Sequence, residues 1–380
     1  MKTRKFTDED LKKLKGHNNC SAAKILGVTE SAVRSRLKKL AKQGYSPEHN
    51  WNSPVPDGYK VKGVSQYVDN EGNVIRQWVK SEQDKEDIVD VLKAVISELP
   101  SYPLFICDKK VNYQETLSVY PLGDPHIGML AWAAESGEDW DLKIAEDTFR
   151  KMFDIIIAKS PPSKLAMLEI LGDTLHYDNI AGITARSGNI LDTDGRYPEM
   201  VRVCTNIVLN MVNSLLNYHE GVVVDIVRGN HDDVGSIWLT ELLMKVYENN
   251  PKVKIIDQPG PIHILEFGKV LIASHHGHTM KMDQLPITIA SDYSEAWGRT
   301  RHRYCLTGHI HHDSVIKKVG QEFAGMTVES FRTLAAKDSF ASWGGWRSKR
   351  DTKAIVYHKD LGEIERYTAS VDSLLIQLDE

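Results

Sequence analysis

Apolar and polar positions along the 380 residues fall into two rhythms, and their spacing predicts most of the elements. Val33, Leu37 and Leu40 recur at i, i+4 and i+7, one buried stripe of a helix running from a Thr29 cap to about Lys42. Ahead of it, residues 22–26 read as a shorter helix capped by Ser21 and stopped by Gly27. Thr7 with Asp10 approximates the capping box of a first helix through Leu14. Residues 50–56, rich in Asn, Ser and Pro, read as a linker. Strand-like runs over residues 59–68 and 74–80 flank the turn Asp69-Asn70-Glu71-Gly72, and a helix is expected over 84–99, closed by Pro100. Nothing in this middle region signals catalysis, so it is assigned to spacing or support. From Leu117 onward short apolar runs alternate with helical patterns, the rhythm of a layered α/β domain, and residues 357–367 around Asp360-Leu361-Gly362 read as a closing hairpin.

Composition divides this chain rather than classifying it. Its length exceeds one compact core, and the pattern suggests parts at 1–50, 51–110 and 111–380. No apolar run approaches the roughly 20 residues that cross a bilayer, and Lys2, Arg4 and Lys5 followed by Asp8, Glu9 and Asp10 are unlike a secretory signal. Cys20, Cys107, Cys204 and Cys305 form no CxxC pair, so neither a disulfide framework nor a thiolate zinc site is indicated. A reducing cytoplasm, that of a bacterial host if phage-encoded, is the expected location, and no membrane partner is expected. Residues 1–42 carry twelve Lys and Arg against four Asp and Glu, a net of +8 that leaves −13 on the rest of a chain whose total is −5. A basic end on an acidic body suits a nucleic-acid arm. Residues 8–43 resemble the helix-turn-helix family, which would make 1–50 an all-α DNA-binding domain with Arg34, Ser35 and Lys38 facing a groove. The same spacing also fits a small trihelical docking module.

The chemistry lies further on. Five apolar runs each end in Asp, Asn or His: Gly123-Asp124-Pro125-His126, Gly172-Asp173-Thr174-Leu175-His176, Gly229-Asn230-His231-Asp232, His275-His276-Gly277-His278 and Gly308-His309-Ile310-His311. Strand ends are where α/β sheets gather ligand-binding groups. Imidazoles and carboxylates without thiolates suit divalent ions such as Mn²⁺, Fe²⁺, Zn²⁺ or Ni²⁺. Residues two apart in extended backbone share a side, so Asp124 with His126, and His309 with His311, are expected to converge, helped by Pro125 holding Asp124 extended. As an ordered set over residues 117–313 these motifs resemble the calcineurin-like metallophosphoesterase family, whose pattern is DxH, GD, GNH, a later HG and GHxH.

That resemblance implies a four-layer α/β/β/α sandwich over 111–380 and two divalent metal ions, Mn²⁺ first, with Fe²⁺, Zn²⁺, Ni²⁺ or Mg²⁺ as alternatives. Asp124, His126 and His311 would hold one ion, Asn230, His276 and His309 the other, and Asp173 would bridge them. Water activated between the ions would attack phosphorus, with His231 over the phosphate and Asp232 orienting it. His275 and His278 compete with His276 as the ligand, which is preferred because the family places its ligand directly before glycine. His176 makes GDxxH, similar to the double-strand-break-repair nuclease branch, where that residue helps handle DNA. Arg186, Arg196 and Arg332 are candidate substrate contacts. Basic and aromatic side chains from Arg332 to Arg350, among them Trp343 and Trp346, suit either a base-stacking surface or a packed edge. DNA is therefore the expected partner and nuclease or exonuclease action the expected chemistry. A homodimer is compatible, and no capping domain or ATPase partner is recognisable. The fusion to a helix-turn-helix resembles phage and prophage proteins. Two rivals remain: a small-nucleotide phosphodiesterase or phosphoprotein phosphatase, and a DNA-binding regulator with a vestigial metal site.

Overall fold

The computed structural model describes residues 10, 14, 18–42, 45–46, 51–52, 59–71, 74–83, 113–184, 188–310, 321–345 and 347–376. The expected helix at 84–99 lies outside them, as does the first N-terminal helix apart from Asp10 and Leu14. Contacts divide the chain into two compact units, Met1–Val91 and Leu92–Glu380.

In the first unit, helices α1 (Asn19–Leu26) and α2 (Glu30–Lys42) enclose a small core of Ala22, Ala23, Val33 and Leu40. The cap of α1 differs from expectation. Asn18, not Ser21, is the N-cap, its Oδ1 accepting from Ser21 N at 2.8 Å, which moves the helix start to Asn19. Gly27 ends α1 in the left-handed region, and Thr29 Oγ1 accepts from Ala32 N at the start of α2. Two-residue strands β1 (Tyr45–Ser46) and β2 (Trp51–Asn52) pair with each other, and β3 (Tyr59–Val68) pairs antiparallel with β4 (Val74–Gln83). Helix α2 packs against β1 and β3.

The second unit is a four-layer α/β/β/α sandwich. One sheet has the order β15-β14-β5-β6-β7-β8, built from β5 (Tyr113–Leu122), β6 (Ser163–Ile170), β7 (Gly221–Ile226), β8 (Val253–Ile255), β14 (Asp351–His358) and β15 (Gly362–Ser370). Strands β5 to β8 run parallel, linked by helices α3 (Leu142–Lys159), α4 (Tyr197–Tyr218) and α5 (Gly235–Val246). The other sheet has the order β12-β13-β11-β10-β9, from β9 (His263–Phe267), β10 (Val270–His275), β11 (His302–Thr307), β12 (Gln321–Phe323) and β13 (Met326–Ser330).

Period-two alternation builds the layers. Val119 and Met167 face the inter-sheet core with Val270 and Ile272, while Tyr120 and Leu168 face α3 and α4. On β10, Leu271 and Ala273 turn outward to a third cluster with Leu285 and Ile289 of helix α6 (Leu285–Asp292). Strands buried on both faces explain why the sequence shows continuous apolar runs there instead of alternation. Among the described residues, no helix is long and apolar enough to cross a membrane.

Candidate metal centre

The C-terminal ends of β5, β6, β7, β10 and β11 open into the five polar loops. Their side chains form two donor groups, each with ligand atoms within 4.8 Å of one another: Asp124, His126 and Asp173, and Asp173, His276 and His309. Asp173 belongs to both. Asn230 joins the second group, its Oδ1 3.0 Å from His276 Nε2, which also lies 3.2 Å from Asp173 Oδ2. A third group, His126, His176 and His231, shares His126 with the first, and the His176 and His231 rings stack with centroids 5.7 Å apart. His311 and Arg186 lie outside the described residues.

Extended backbone does not produce this convergence. Asp124, His126, Asp173 and His309 all have positive φ, between 45° and 64°, although none is glycine. Tethers to residues distant in sequence outweigh the preference for extended geometry before Pro125. Both Asp124 carboxylate oxygens accept from His309 N at 2.9 Å, its carbonyl accepts from Thr333 Oγ1 at 2.6 Å, and His126 N donates to Asp173 O at 2.9 Å. Left-handed backbone at non-glycine residues costs on the order of 1–3 kcal/mol each and persists only where surrounding contacts over-determine it. Two glycines allow the loops to close on one another. A Cβ on Gly229 would stand 2.0 Å from Asp173 Oδ1, and one on Gly308 would stand 2.8 Å from Leu171 O and 2.9 Å from Asp124 Oδ2.

Asp232 does not orient His231. Its buried carboxylate accepts backbone N–H groups from Asp173 at 3.1 Å, Thr174 at 2.8 Å, Leu175 at 3.3 Å and Gly229 at 3.1 Å, pinning the second motif to the third. Burial and the nearby Asp173 carboxylate push its pKa up to about 7, opposed by those N–H donors. The partner of His231 Nδ1 is the carbonyl of His176 at 2.8 Å. Of the three competing imidazoles, His275 is turned away, its Nε2 3.0 Å from Thr279 Oγ1 and its Nδ1 accepting from Gly277 N. His276 reaches Asp173, and the His278 ring lies beside it with centroids 5.1 Å apart.

Charge complementarity at the centre is strong. Burial by itself would raise the Asp173 carboxyl, but His276, then His126 and His231, outweigh it and hold the group well below the ordinary carboxylate range. Burial likewise disfavours charge on His276, yet Asp173 and Asp124 lift its pKa to about 9. Donor chemistry fits divalent cations: His276 Nδ1 donates to Leu171 O at 2.7 Å, which fixes the tautomer and aims Nε2 at Asp173 and Asn230.

Peripheral residues fare differently. Arg332 is not available to substrate in the way expected. Its guanidinium pairs with Asp351, at 16% side-chain exposure, because β14 brings that carboxylate beneath it. Arg350 covers the Trp140 ring at 4.8 Å and pairs with Glu138. Trp343 is 84% exposed and donates from Nε1 to Glu135 Oε1 at 2.8 Å, so it is not part of a packed edge; Trp346 lies outside the described residues. Arg196 is exposed at the N-cap of α4. Arg34, Ser35 and Lys38 are exposed on α2, with Arg34 paired to Glu30.

Sequence reasoning missed the floor of the site. Glu169, Asp225, His263 and Ser274 are buried on the same strand parity as the inter-sheet core, and His263 Nδ1 lies 2.6 Å from Asp225 Oδ1. Burial, then the Asp225 charge, raises the Glu169 carboxyl well above its ordinary range. The available signal was an acid or histidine at an inward-facing strand position, legible only once inward could be assigned.

No family model and no curated protein matches the chain. Solved structures with some likeness include a conserved uncharacterized protein, a predicted phosphoesterase, from Streptococcus pneumoniae TIGR4, at 11% identity and TM-score 0.28, covering 67% of this chain and 98% of that one. A single mutant of Vps29 from Entamoeba histolytica has 12% identity and TM-score 0.27 over the same shares, and PhoD has 7% identity and TM-score 0.30 over 78% of this chain and 81% of its own. At these scores the likeness carries no argument, and the sandwich is read from sheet order and register alone.

Proposed function

We propose that this protein is a metal-dependent phosphodiesterase whose substrate is DNA. The observation that carries the proposal is the sharing of Asp173 by two donor groups that draw on the strand ends of both sheets. In this reading Asp124, His126 and Asp173 hold one ion, with His311 expected beside them, and Asp173, Asn230, His276 and His309 hold the other. Two divalent cations, Mn²⁺ first, would lower the pKa of a shared water and polarise the phosphoryl oxygens. The chain's own residues do the rest. His231 Nδ1–H donates to the His176 carbonyl, which leaves Nε2 free, and in the imidazolium form its Nε2–H is the proton passed to the leaving oxygen, the ring returning to the neutral Nδ1–H tautomer. His176 fixes that ring by stacking on it, and Asp232 acts at one remove by holding the backbone of Asp173 and Gly229.

DNA is favoured over small nucleotides by the net +8 of residues 1–42 and by exposed Arg34, Ser35 and Lys38 on one basic helix. The test gives the Mn²⁺-loaded protein single- and double-stranded DNA, an aryl phosphodiester, cyclic nucleotides and a phosphopeptide. DNA cleavage that stops with chelator and drops at least about 100-fold in Asp173→Ala is expected. Faster turnover of cyclic nucleotides or phosphopeptide than of DNA would overturn the substrate assignment. Undiminished turnover in Asp173→Ala would overturn the site.

A further inference from the structure

Strands β3 and β4 form a hairpin whose two faces differ in chemistry. Register sets Gly63 opposite Lys80, Ser65 opposite Trp78 and Tyr67 opposite Arg76. Alternation therefore puts Tyr67, Trp78, Arg76 and Lys80 on one face. Both aromatics are exposed, Tyr67 at 62% and Trp78 at 56%, and Arg76 and Lys80 are exposed beside them. The acid at the base of that row, Glu82, stands opposite Lys60. A two-stranded ribbon that leaves a tryptophan and a tyrosine in water gains nothing from them in its own stability, since exposed rings bury little surface. At the far end of β3, Asp69 Oδ1 accepts from Glu71 N at 2.9 Å.

We infer that this face of the hairpin is a binding surface for single-stranded DNA. Trp78 and Tyr67 stack on successive unpaired bases while Arg76 and Lys80 contact the phosphates on either side. Charge complementarity favours a polyanion over a second protein: Arg76 and Lys80 flank Trp78 along β4 with Tyr67 opposite Arg76, and the unit that holds the hairpin also contains residues 1–42, whose net charge is +8. Stacking on an aromatic ring tolerates any base, because each base offers a π face, and requires bases free of a duplex. The surface therefore contributes affinity and strand form, not sequence. It deepens the DNA reading proposed above and rests on it.

The test uses the full-length protein in chelator, so that binding is measured without cleavage. A fluorescein-labelled single strand and the matching duplex are titrated by anisotropy at several salt concentrations. Tyr67→Ala with Trp78→Ala should weaken single-strand binding by at least about tenfold, whereas Tyr67→Phe with Trp78→Phe should restore it. Arg76→Ala with Lys80→Ala should make the salt dependence shallower by about one to two ions. Aryl-phosphodiester turnover and circular dichroism should match the wild type in all three. Wild-type affinity and wild-type salt slope in both alanine pairs would overturn the inference while leaving the DNA reading standing. A wild-type protein that binds neither strand form would overturn both. Unchanged single-strand binding with an altered oligomeric state by light scattering would assign the face to protein contact and overturn the inference.

Discussion

Asp173 sits where both donor groups meet, and its consequences are the most direct to measure. Replacing it with Asn removes one negative charge from both groups. Turnover should fall by at least about 100-fold, and bound metal measured by mass spectrometry should drop below that of the wild type. His231→Ala should instead keep its metal and lose about 100- to 1,000-fold in kcat, the scale of a missing proton donor or transition-state contact. His276 adds a pH effect. Its pKa of about 9 means that at pH 7 the metal-free ring carries a proton, and that proton must leave before Nε2 can ligate. Apparent metal affinity should therefore climb as pH rises toward about 9, and Mn²⁺ addition should release protons. Calorimetry in two buffers of different ionisation enthalpy reads this directly; identical heats in both would contradict it.

Loops rather than strands carry the strain and the precision. Asp232 holds four backbone N–H groups of two separate loops, so Asp232→Ala leaves buried donors without an acceptor and should cost about 2–4 kcal/mol, read as a lower urea midpoint. Gly229→Ala should abolish turnover and lower the urea midpoint, because its Cβ would stand 2.0 Å from Asp173 Oδ1 and 2.2 Å from Asp173 N and force that loop aside. Asp124, His126, Asp173, Asn230, His276 and His309 were legible in sequence because each closely follows a short apolar run and because the ordered set resembles a known family pattern; His311 lies outside the described residues. Their backbone geometry was not legible. Left-handed φ at Asp124 and His126 follows from hydrogen bonds to His309 and Asp173, partners 185 and 47 positions away, which no local rule contains. The Asn18 cap of α1 was missed for a smaller reason, since Ser21 is an equally good capping residue three positions further on.

At the scale of the molecule, the inter-sheet and sheet–helix layers set stability. His219 is locked in the sheet–helix layer, its Nδ1 2.7 Å from the carbonyl of Ser163 and its Nε2 3.0 Å from Tyr120 Oη. Burial lowers its pKa to about 4. The unfolded ring, near 6.5, binds a proton that the folded one refuses, so stability is full above about pH 6.5 and declines as pH falls toward 4. The decline from this residue should be about 3 kcal/mol. Urea titrations across that window should show it, and His219→Gln should flatten the slope; an unchanged slope would mean that another group carries the acid sensitivity.

The sequence by itself determined the layered α/β order, the metal-ligating residue types and the basic N-terminal end, because strand burial, ligand chemistry and charge are written in residue type and near-neighbour spacing. Only the tertiary structure decided that Asp232 braces a loop instead of orienting His231, that Arg332 is tied to Asp351, that His276 and not His275 faces Asp173, and that Trp78 and Tyr67 lie bare on one face of a hairpin. The bare rings follow from the register of one hairpin, whereas the other three depend on which atoms meet across tens to hundreds of residues. Such meetings are set by the closing of two sheets on a shared core, and chain-local propensity does not encode them.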